Sequence, residues 1–234
     1  MKTKLTALLV SGAALAAGVA AAHAAPIPVA TYTFQSQDDV NAFQKVLGAK
    51  CKRKWAGNQA LGISVGPGTN SCTYRSSVVA DSSDKYADQG MTGTVTSGGG
   101  TPKLQKKTFV GVGVRYSSSA GYVLRVLPNS HKWQYLRDPK GAAGPKLEAS
   151  GSGKFIKVGS KPNVLSLRAF SYGGTSTSLV GSVNGHGVVS TTDGAADQPD
   201  GRQTIVTVGA KGSGAGTGLL GVFDNVSVLV PNPF

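Results

Sequence analysis

The sequence contains a single glutamate, Glu148, and ten aspartates supply every other side-chain carboxylate. Glycoside hydrolases use two carboxyl groups at a defined separation, one as the acid and one as the nucleophile or base. No aspartate pair stands on a predicted central strand with the alternation that such enzymes show, and Glu148 lies in a Gly- and Ser-rich stretch that is typical of an exposed loop. The composition therefore disfavours a glycoside hydrolase.

Histidine is also scarce, because the chain has only three and one of them, His23, falls in an N-terminal leader. His131 and His186 each lie in a predicted turn, far apart in the sequence. Zinc sites need about three protein ligands, and a serine hydrolase would need a nucleophile elbow between a strand and a helix, which is absent. These counts disfavour both zinc chemistry and a serine triad.

The N-terminus predicts export. Lys2 and Lys4 precede a run of apolar and small residues, and Ala22 to Ala24 forms a small-x-small cleavage site, which together are typical of a secretory signal peptide. A membrane anchor is the alternative, but the run is rich in Ala and Gly and no later segment is apolar enough to span a bilayer. We expect a signal peptide over 1–24 and one domain over 25–234, located in the periplasm, at the cell surface or outside the cell.

Two cysteines remain after the leader, Cys51 and Cys72. In an oxidising compartment the default for such a pair is one disulfide. It would close a loop of about 20 residues and contribute about 3 kcal/mol on the chain-entropy model.

The chain is strongly basic, with a formal charge of +13, of which +11 remains once the two lysines of the leader are removed. Such a surface attracts polyanions, including acidic polysaccharide and anionic cell-surface groups. The alternative, that the charge only keeps the protein in solution, stays open because the lysines are scattered. No nucleic-acid recognition motif is present, so no specific nucleic-acid partner is expected. The sequence leaves the oligomeric state open.

The pattern of apolar residues predicts an all-β fold. Thirty-three glycines punctuate the chain, and one short helix is predicted, over Asp38 to Leu47. Asn184-Gly185 between two apolar alternations is a strong hairpin signal. Gly98 to Gly100 and 209–218 are predicted to be loops. The predicted strands are Phe109 to Tyr116, Tyr122 to Leu127, Trp133 to Arg137, Val164 to Phe170, Leu179 to Val183, Val188 to Thr191, Thr204 to Val208 and Phe223 to Val230. Their regular spacing indicates an antiparallel sandwich.

Four segments, taken in order, resemble the concanavalin A-like, laminin G-like jelly roll of secreted bacterial proteins. They are Tyr32-Thr33-Phe34 before an acidic pair and Phe43, the stretch VGVGVRYSSSAGYVLRVLP, the hairpin VGSVNGHGVV, and the closing GLLGVFDNVSVLVP. The resemblance covers most of residues 31–231 and implies a two-sheet antiparallel jelly roll whose first and last strands pair. Many members of this family are carbohydrate-binding modules, but a fold alone specifies no function.

The same resemblance implies a structural Ca²⁺ site where the first and last strands meet. Asp224 matches the position of the acid on the family's terminal strand, and Asp38 or Asp39 would assist it with a hard oxygen ligand. The alternative is that these aspartates only cap a turn or the rim of the sheet.

Four predicted strands each place one arginine off their apolar face, because side chains alternate with a period of two. If the strands are neighbours, one sheet face carries Arg115, Arg125, Arg137 and Arg168 together with Trp133, Tyr135 and Tyr172. Arginine forks suit carboxylate, sulfate or phosphate, and aromatic rings suit the C–H face of a sugar. An ordinary solvated face with cross-strand aromatic pairs is the alternative.

The sequence therefore predicts a non-catalytic, lectin-like module whose partner is a polysaccharide or cell-surface glycan of anionic character. A cell-surface adhesion or structural domain is the first alternative, since it needs no site chemistry. A polysaccharide lyase is the second, for which His131, Tyr135, Arg125 and Arg137 would supply the proton-transfer and charge-neutralising groups.

Overall fold

A computed structural model describes residues 27–56, 59–79, 89–117, 120–138, 145–172, 175–211 and 218–230. The predicted signal peptide over 1–24 lies outside these residues. Within them, no helix combines the length and the hydrophobicity that crossing a bilayer requires.

Two antiparallel sheets make up the fold. One has eight strands, and these are β1 (Ile27–Tyr32), β3 (Cys51–Ala56), β4 (Ala60–Val65), β6 (Gln89–Gly99), β11 (Asn163–Tyr172), β12 (Ser176–Val183), β13 (His186–Asp193) and β15 (Leu219–Val230). Their order is β13-β12-β11-β6-β15-β4-β3, and β1 also pairs with β15. The predicted pairing of the first and last strands is therefore confirmed.

The other sheet has seven strands, and these are β2 (Phe43–Leu47), β5 (Ser71–Val79), β7 (Thr108–Tyr116), β8 (Gly121–Leu127), β9 (Lys132–Asp138), β10 (Lys146–Ser152) and β14 (Gln203–Ala210). Their order is β10-β9-β8-β7-β14-β5-β2. The two sheets pack face to face as a jelly-roll sandwich, as the sequence predicts.

The core lies between the sheets and follows the strand alternation. Val110, Val112 and Val114 of β7 are fully buried, and their register partners on β8 are apolar and buried too, as expected for the inner faces of a sandwich. The opposite sheet contributes Leu165 and Leu167 of β11, which are also fully buried.

The predicted helix over Asp38 to Leu47 is only half right. Helix α1 spans Gln37–Asn41, and Ser36 caps it by accepting a hydrogen bond from the backbone N–H of Asp39. Phe43–Leu47 forms β2 instead, because Phe43 is fully buried among aromatic rings and the backbone pairs with β5. The other helical segments among the described residues are α2 (Pro102–Gln105) and a 3₁₀ turn at Pro128–Ser130.

Two local predictions are confirmed. Asn184 and Gly185, both with positive φ, connect β12 to β13 as a tight hairpin. The Cys51–Cys72 disulfide forms, and because β3 and β5 belong to different sheets, it joins the two layers covalently.

Other segments differ from the prediction. Gly98 and Gly99 belong to β6 rather than to a loop, and Glu148 lies on β10, where its side chain is exposed. Part of the predicted loop at 209–218 belongs to β14, and residues 212–217 lie outside the described residues.

Candidate functional site

The outer face of the seven-stranded sheet carries the candidate site. Strand register places Gln134, Arg125, Gly111 and Thr207 in one row across β9, β8, β7 and β14. The neighbouring row contains Leu136, Val123, Gly113 and Ile205 on the same four strands. Several of these side chains are buried although no second layer of strands covers them among the described residues, which indicates a recessed surface.

Two glycines form the floor of this surface. A Cβ atom at Gly111 would lie 2.7 Å from the Cβ of Arg125, and a Cβ atom at Gly113 would lie 2.7 Å from Cγ1 of Ile205. Real Cβ contacts are longer, so only glycine lets these neighbouring side chains lie across β7.

A β-bulge at the end of β7 reverses the direction that strict strand alternation would give to two side chains. Between Gly113 and Tyr116 the strand advances three residues while β14 advances only two, and Arg115 has φ 51°. Arg115 therefore points into the sandwich, where it is fully buried and donates a hydrogen bond to Oγ1 of Thr177 (2.6 Å). Tyr116 points to the outer face instead, so the predicted outward position of Arg115 is wrong.

A cavity of about 570 Å³ occupies one end of the outer face. Its described lining residues are Lys106, Lys107, Leu127, Ser130, Lys132, Gln134, Leu147, Ser150 and Lys211. All four lysines are exposed. Both ion pairs found in the described part of the chain are made by Arg137, so no described carboxylate neutralises this lysine cavity.

Backbone contacts fix where three of these lysines stand. Ser130 donates a hydrogen bond to the carbonyl oxygen of Lys106 (2.6 Å), and the N–H of Lys211 donates to the carbonyl oxygen of Lys107 (3.0 Å). Lys132 begins β9 directly after the 3₁₀ turn. The cluster is thus assembled from residues that follow the C-terminus of α2, follow β14 and begin β9, and each lysine contributes a compact point charge.

A second cavity of about 120 Å³ continues along the same face. Its described lining includes Phe109, Tyr116, Val123, Arg125, Leu136, Asp138, Ile205 and Thr207. The Arg125 guanidinium lies 4.2 Å from the centre of the Phe109 ring, a cation–π contact. Burial lowers the pKa of Arg125 to about 10, which leaves it charged at neutral pH.

The two cavities adjoin at one hydrogen bond, from Nε of Arg125 to Oε1 of Gln134 (2.9 Å). Arg125 lines the smaller cavity and Gln134 lines the larger one. We call the combined surface the outer-face groove. Along β9 it runs from Lys132 to Asp138, a span of about 20 Å at the usual rise of a strand.

Asp138 is the one acid among the described lining residues of the groove. One of its carboxylate oxygens, Oδ1, is buried without a hydrogen-bond partner among the described residues, and burial raises the pKa of Asp138. The pKa of Tyr116 is also raised, first by burial and then by the charge of Asp138. Tyr116 therefore keeps its proton at neutral pH and is a hydrogen-bond donor.

The structure places Trp133, Tyr135 and Arg137 together, as predicted, but on the inner face of β9. Tyr135 is buried and stacks on Tyr122 at 6.4 Å. Arg137 pairs with Asp193 of β13 and with Asp197, so it links the two sheets at their margin. These side chains stabilise the sandwich rather than line the groove.

The remaining predicted ligand residues also separate. Arg168 lies on the outer face of the eight-stranded sheet, where its side chain crosses Gly90. The side chain of Tyr172 lies outside the described residues. The predicted single face with four arginines is therefore wrong, because the alternation fixes which side chains share a strand face but not which sheet the strand joins. Of the six predicted ligand residues whose side chains the structure describes, Arg125 is the one that it places in the groove.

The lyase residues do not converge either. Arg125 and Tyr135 point to opposite faces of the same sheet, and Nδ1 of His131 is engaged with the carbonyl oxygen of Ile156 at 2.9 Å.

The aspartates predicted to hold calcium lie in two different local settings. Both oxygens of Asp224 accept hydrogen bonds from Asn225, and Asp38 and Asp39 lie in the first turn of α1. No cluster of three acidic, His or Cys groups occurs among the residues that the structure describes, and Ca²⁺ binding stays a prediction.

Sequence reasoning missed most of the groove. The Lys106-Lys107 pair and the alternation of Phe109 with Gly111 and Gly113 are visible in the sequence. The approach of Lys211 to Lys107, and of Asp138 to Tyr116, depends on tertiary packing and leaves no local signal.

No family model matches the sequence, and no curated protein matches it. Solved structures do resemble the fold. The carbohydrate-binding module CBM66 from Bacillus subtilis superposes with a TM-score of 0.54 at 14% identity, over 80% of this chain and 95% of that one. The metal-free carbohydrate recognition domain of Emp46p gives 0.56 at 10% identity, over 87% and 95%. An endo-1,3-β-glucanase from Streptomyces sioyaensis gives 0.55 at 12% identity, over 78% and 79%. With two packed antiparallel sheets and paired terminal strands, this chain has the concanavalin A-like jelly-roll fold.

Proposed function

We propose that this protein is a carbohydrate-binding module that holds an acidic glycan in the outer-face groove. The observation that carries the proposal is the lysine cavity, where Lys106, Lys107, Lys132 and Lys211 converge on one recess with no described carboxylate to neutralise them. Four like charges in one cavity repel each other, and an anionic ligand relieves that repulsion.

The groove also offers the uncharged contacts that a sugar needs. Leu147, at the edge of the lysine cavity, is half exposed and can cover the C–H face of a sugar ring. Ser130, Ser150 and Gln134 supply hydroxyl and amide groups at the same recess, which suit sugar hydroxyls. A binding site with a few polar groups over an apolar base is the usual composition of ligand sites.

The similar structures support this choice without establishing it. Two of them are named for carbohydrate binding or recognition, and a shared fold at such low identity carries the architecture alone. Secretion is part of the same proposal, because the Cys51–Cys72 disulfide is the kind of bond that persists in an oxidising compartment.

The test is a glycan array followed by calorimetry on the ligands that bind, at low salt and at about 0.15 M salt, where surface charges separated by more than about 8 Å are screened. The variants are Arg125→Ala and the double variant Lys132→Ala with Lys211→Ala. Matched controls come from the other sheet, where Arg168→Ala removes an outer-face arginine and Lys54→Ala an exposed lysine.

We expect each groove variant to weaken binding about tenfold or more, which corresponds to about 1.4 kcal/mol, and the controls to bind like the wild type. Equal loss in the groove variants and the controls would show that binding is a matter of net charge. Absence of binding to any glycan on the array would favour an adhesion or structural domain instead.

A further inference from the structure

Asp138 is unusual in this groove, because every other charged residue in its described lining is a cation. It stands at the end of β9, six residues from Lys132, while the lysines cluster at the other end. A carboxylate in such a groove would be expected to pair with a cation, yet both described ion pairs involve Arg137, whose side chain belongs to the opposite face. Arg125, the cation in the described lining of the same cavity, is committed to Gln134 and to the Phe109 ring.

The Asp138 carboxylate also lacks a hydrogen-bond partner at one oxygen. Oδ1 is buried with no donor among the described residues, whereas buried polar atoms are nearly always paired in folded proteins. Rotation of the carboxylate exchanges its two oxygens, so a donor that enters the cavity can bond to either one. Burying an unpaired carboxylate costs free energy, and a ligand that supplies a donor recovers part of it.

Tyr116 completes this end of the groove. It stands on the outer face because of the bulge in β7, and its ring lies against Gly121, the register partner of Asp138, where a Cβ atom would come within 2.9 Å of the ring. Asp138 and Tyr116 line the same cavity, which also has the apolar side chains of Val123 and Leu136 in its walls. A hydrogen-bond acceptor and a donor thus face one small, mainly apolar recess.

We propose that the cavity of Asp138 and Tyr116 is a subsite for an uncharged sugar unit that carries free hydroxyl groups. A sugar hydroxyl donates to the carboxylate, and a ring or hydroxyl oxygen accepts from Tyr116. Like charge excludes a carboxylate or sulfate substituent from this end, in the way that repulsive groups supply specificity. This inference rests on the proposed function, because it assigns the second half of the same groove.

The two ends of the groove would therefore bind chemically different units of the glycan. Anionic groups of the glycan belong at the lysine end and an uncharged unit belongs at the Asp138 end, so a chain with alternating charged and uncharged units fits better than a chain with a charge on every unit.

Two probes of equal length test the proposal. One is a hyaluronan oligosaccharide, in which uronate alternates with an uncharged N-acetylated sugar, and the other is an oligomannuronate with a carboxylate on every unit. Calorimetry is performed with the wild type, Asp138→Asn, Asp138→Ala and Tyr116→Phe, after thermal melts confirm that each variant folds. Asp138→Asn keeps an acceptor of the same shape and removes the charge.

We expect the wild type to bind the alternating chain more tightly. Asp138→Asn should improve binding of the fully charged chain about tenfold and leave the alternating chain within a few-fold, whereas Asp138→Ala and Tyr116→Phe should weaken the alternating chain. Unchanged affinities for both chains in all three variants, with the lysine variants still defective, would overturn this subsite and leave the proposed function standing. Failure of the wild type to bind either of these chains or any other acidic glycan on the array would overturn the acidic-glycan proposal and this inference with it.

Discussion

Arg125 and Arg137 lie on neighbouring strands of one sheet and point to opposite faces of it. Arg125 is in register with Gln134 and contacts the Phe109 ring on the outer face. Arg137 is in register with the buried Tyr122 and forms ion pairs with Asp193 and Asp197. One arginine therefore belongs to the candidate site and the other to the contact between the sheets.

This separation predicts different effects on stability. The Asp193 side chain is only 10% exposed in the wild type, and Arg137→Ala removes its cation. We therefore expect the free energy of unfolding to fall by about 3 kcal/mol, as when one partner of a buried ion pair is removed. Arg125→Ala should cost about 1–2 kcal/mol, because it loses one hydrogen bond and the cation–π contact with Phe109. Urea unfolding measures both, and the exposed Lys161→Ala is the control. Equal losses in the two arginine variants would contradict the assignment of faces.

The glycine floor of the groove makes a second prediction. A Cβ atom at Gly111 would meet the Cβ of Arg125 at 2.7 Å and the carbonyl oxygen of Leu124 at 2.8 Å. Gly111→Ala should therefore lower the free energy of unfolding by about 2 kcal/mol, through overpacking. Gly98→Ala is the matched strand control, since nothing lies within 4 Å of its Cβ position. The idea fails if thermal melts show the two variants to be equally stable.

Removal of the disulfide tests the covalent link between the layers. The double variant Cys51→Ala with Cys72→Ala should lose about 3 kcal/mol of unfolding free energy, because the bond restricts the unfolded chain. Wild-type protein treated with a reducing agent should lose a similar amount in the same urea titration, and the double variant should not respond to the reductant. A response of the double variant would show that the reductant acts elsewhere.

Asp138 makes stability depend on pH. Burial raises its pKa in the folded state above the unfolded value of about 3.9. The folded protein thus holds this proton more tightly than the unfolded chain does. The contribution of protonated Asp138 to the free energy of unfolding is therefore fully present below the unfolded pKa and is lost as the pH rises through the folded pKa.

Asp138→Asn should therefore be more stable than the wild type at pH 7, and the difference should disappear when the pH falls below about 3.9. Thermal melts across this range measure it. The control variant is Glu148→Gln, which removes a carboxylate at an exposed position on β10. A variant that is less stable than the wild type at pH 7 would contradict the cost assigned to burying this carboxylate.

Calcium binding, which the family resemblance implies, is tested by the same melts. If Asp224 with Asp38 or Asp39 holds Ca²⁺, added calcium should raise the melting temperature of the wild type, chelator should lower it, and Asp224→Asn should abolish the difference. No shift in the wild type would remove the site and leave Asp224 as a turn residue that accepts hydrogen bonds from Asn225.

Much of the fold could be predicted because its signals are local. The Asn184-Gly185 turn and the alternation of Val110, Val112 and Val114 fix a hairpin and a strand face directly. The candidate site could not be predicted from the sequence, for two reasons. The inward direction of Arg115 follows from a bulge against β14, a strand nearly ninety residues later in the chain. The side of β9 that carries Arg137 is the inner one because the eight-stranded sheet packs against it, and this depends on the tertiary arrangement of the two sheets.

The Val-Gly-Val-Gly-Val run of β7 shapes both the core and the outer-face groove. Its valines fill the interior, and its glycines at 111 and 113 leave room for side chains that belong to β8 and β14. The groove is deep because Gly111 and Gly113 have no side chains. Relatives with a comparable groove would therefore be found by alternating small residues on the central strand of the sheet rather than by any shared charged residue. Ligand preference could then change through the neighbouring strands while β7 stayed the same.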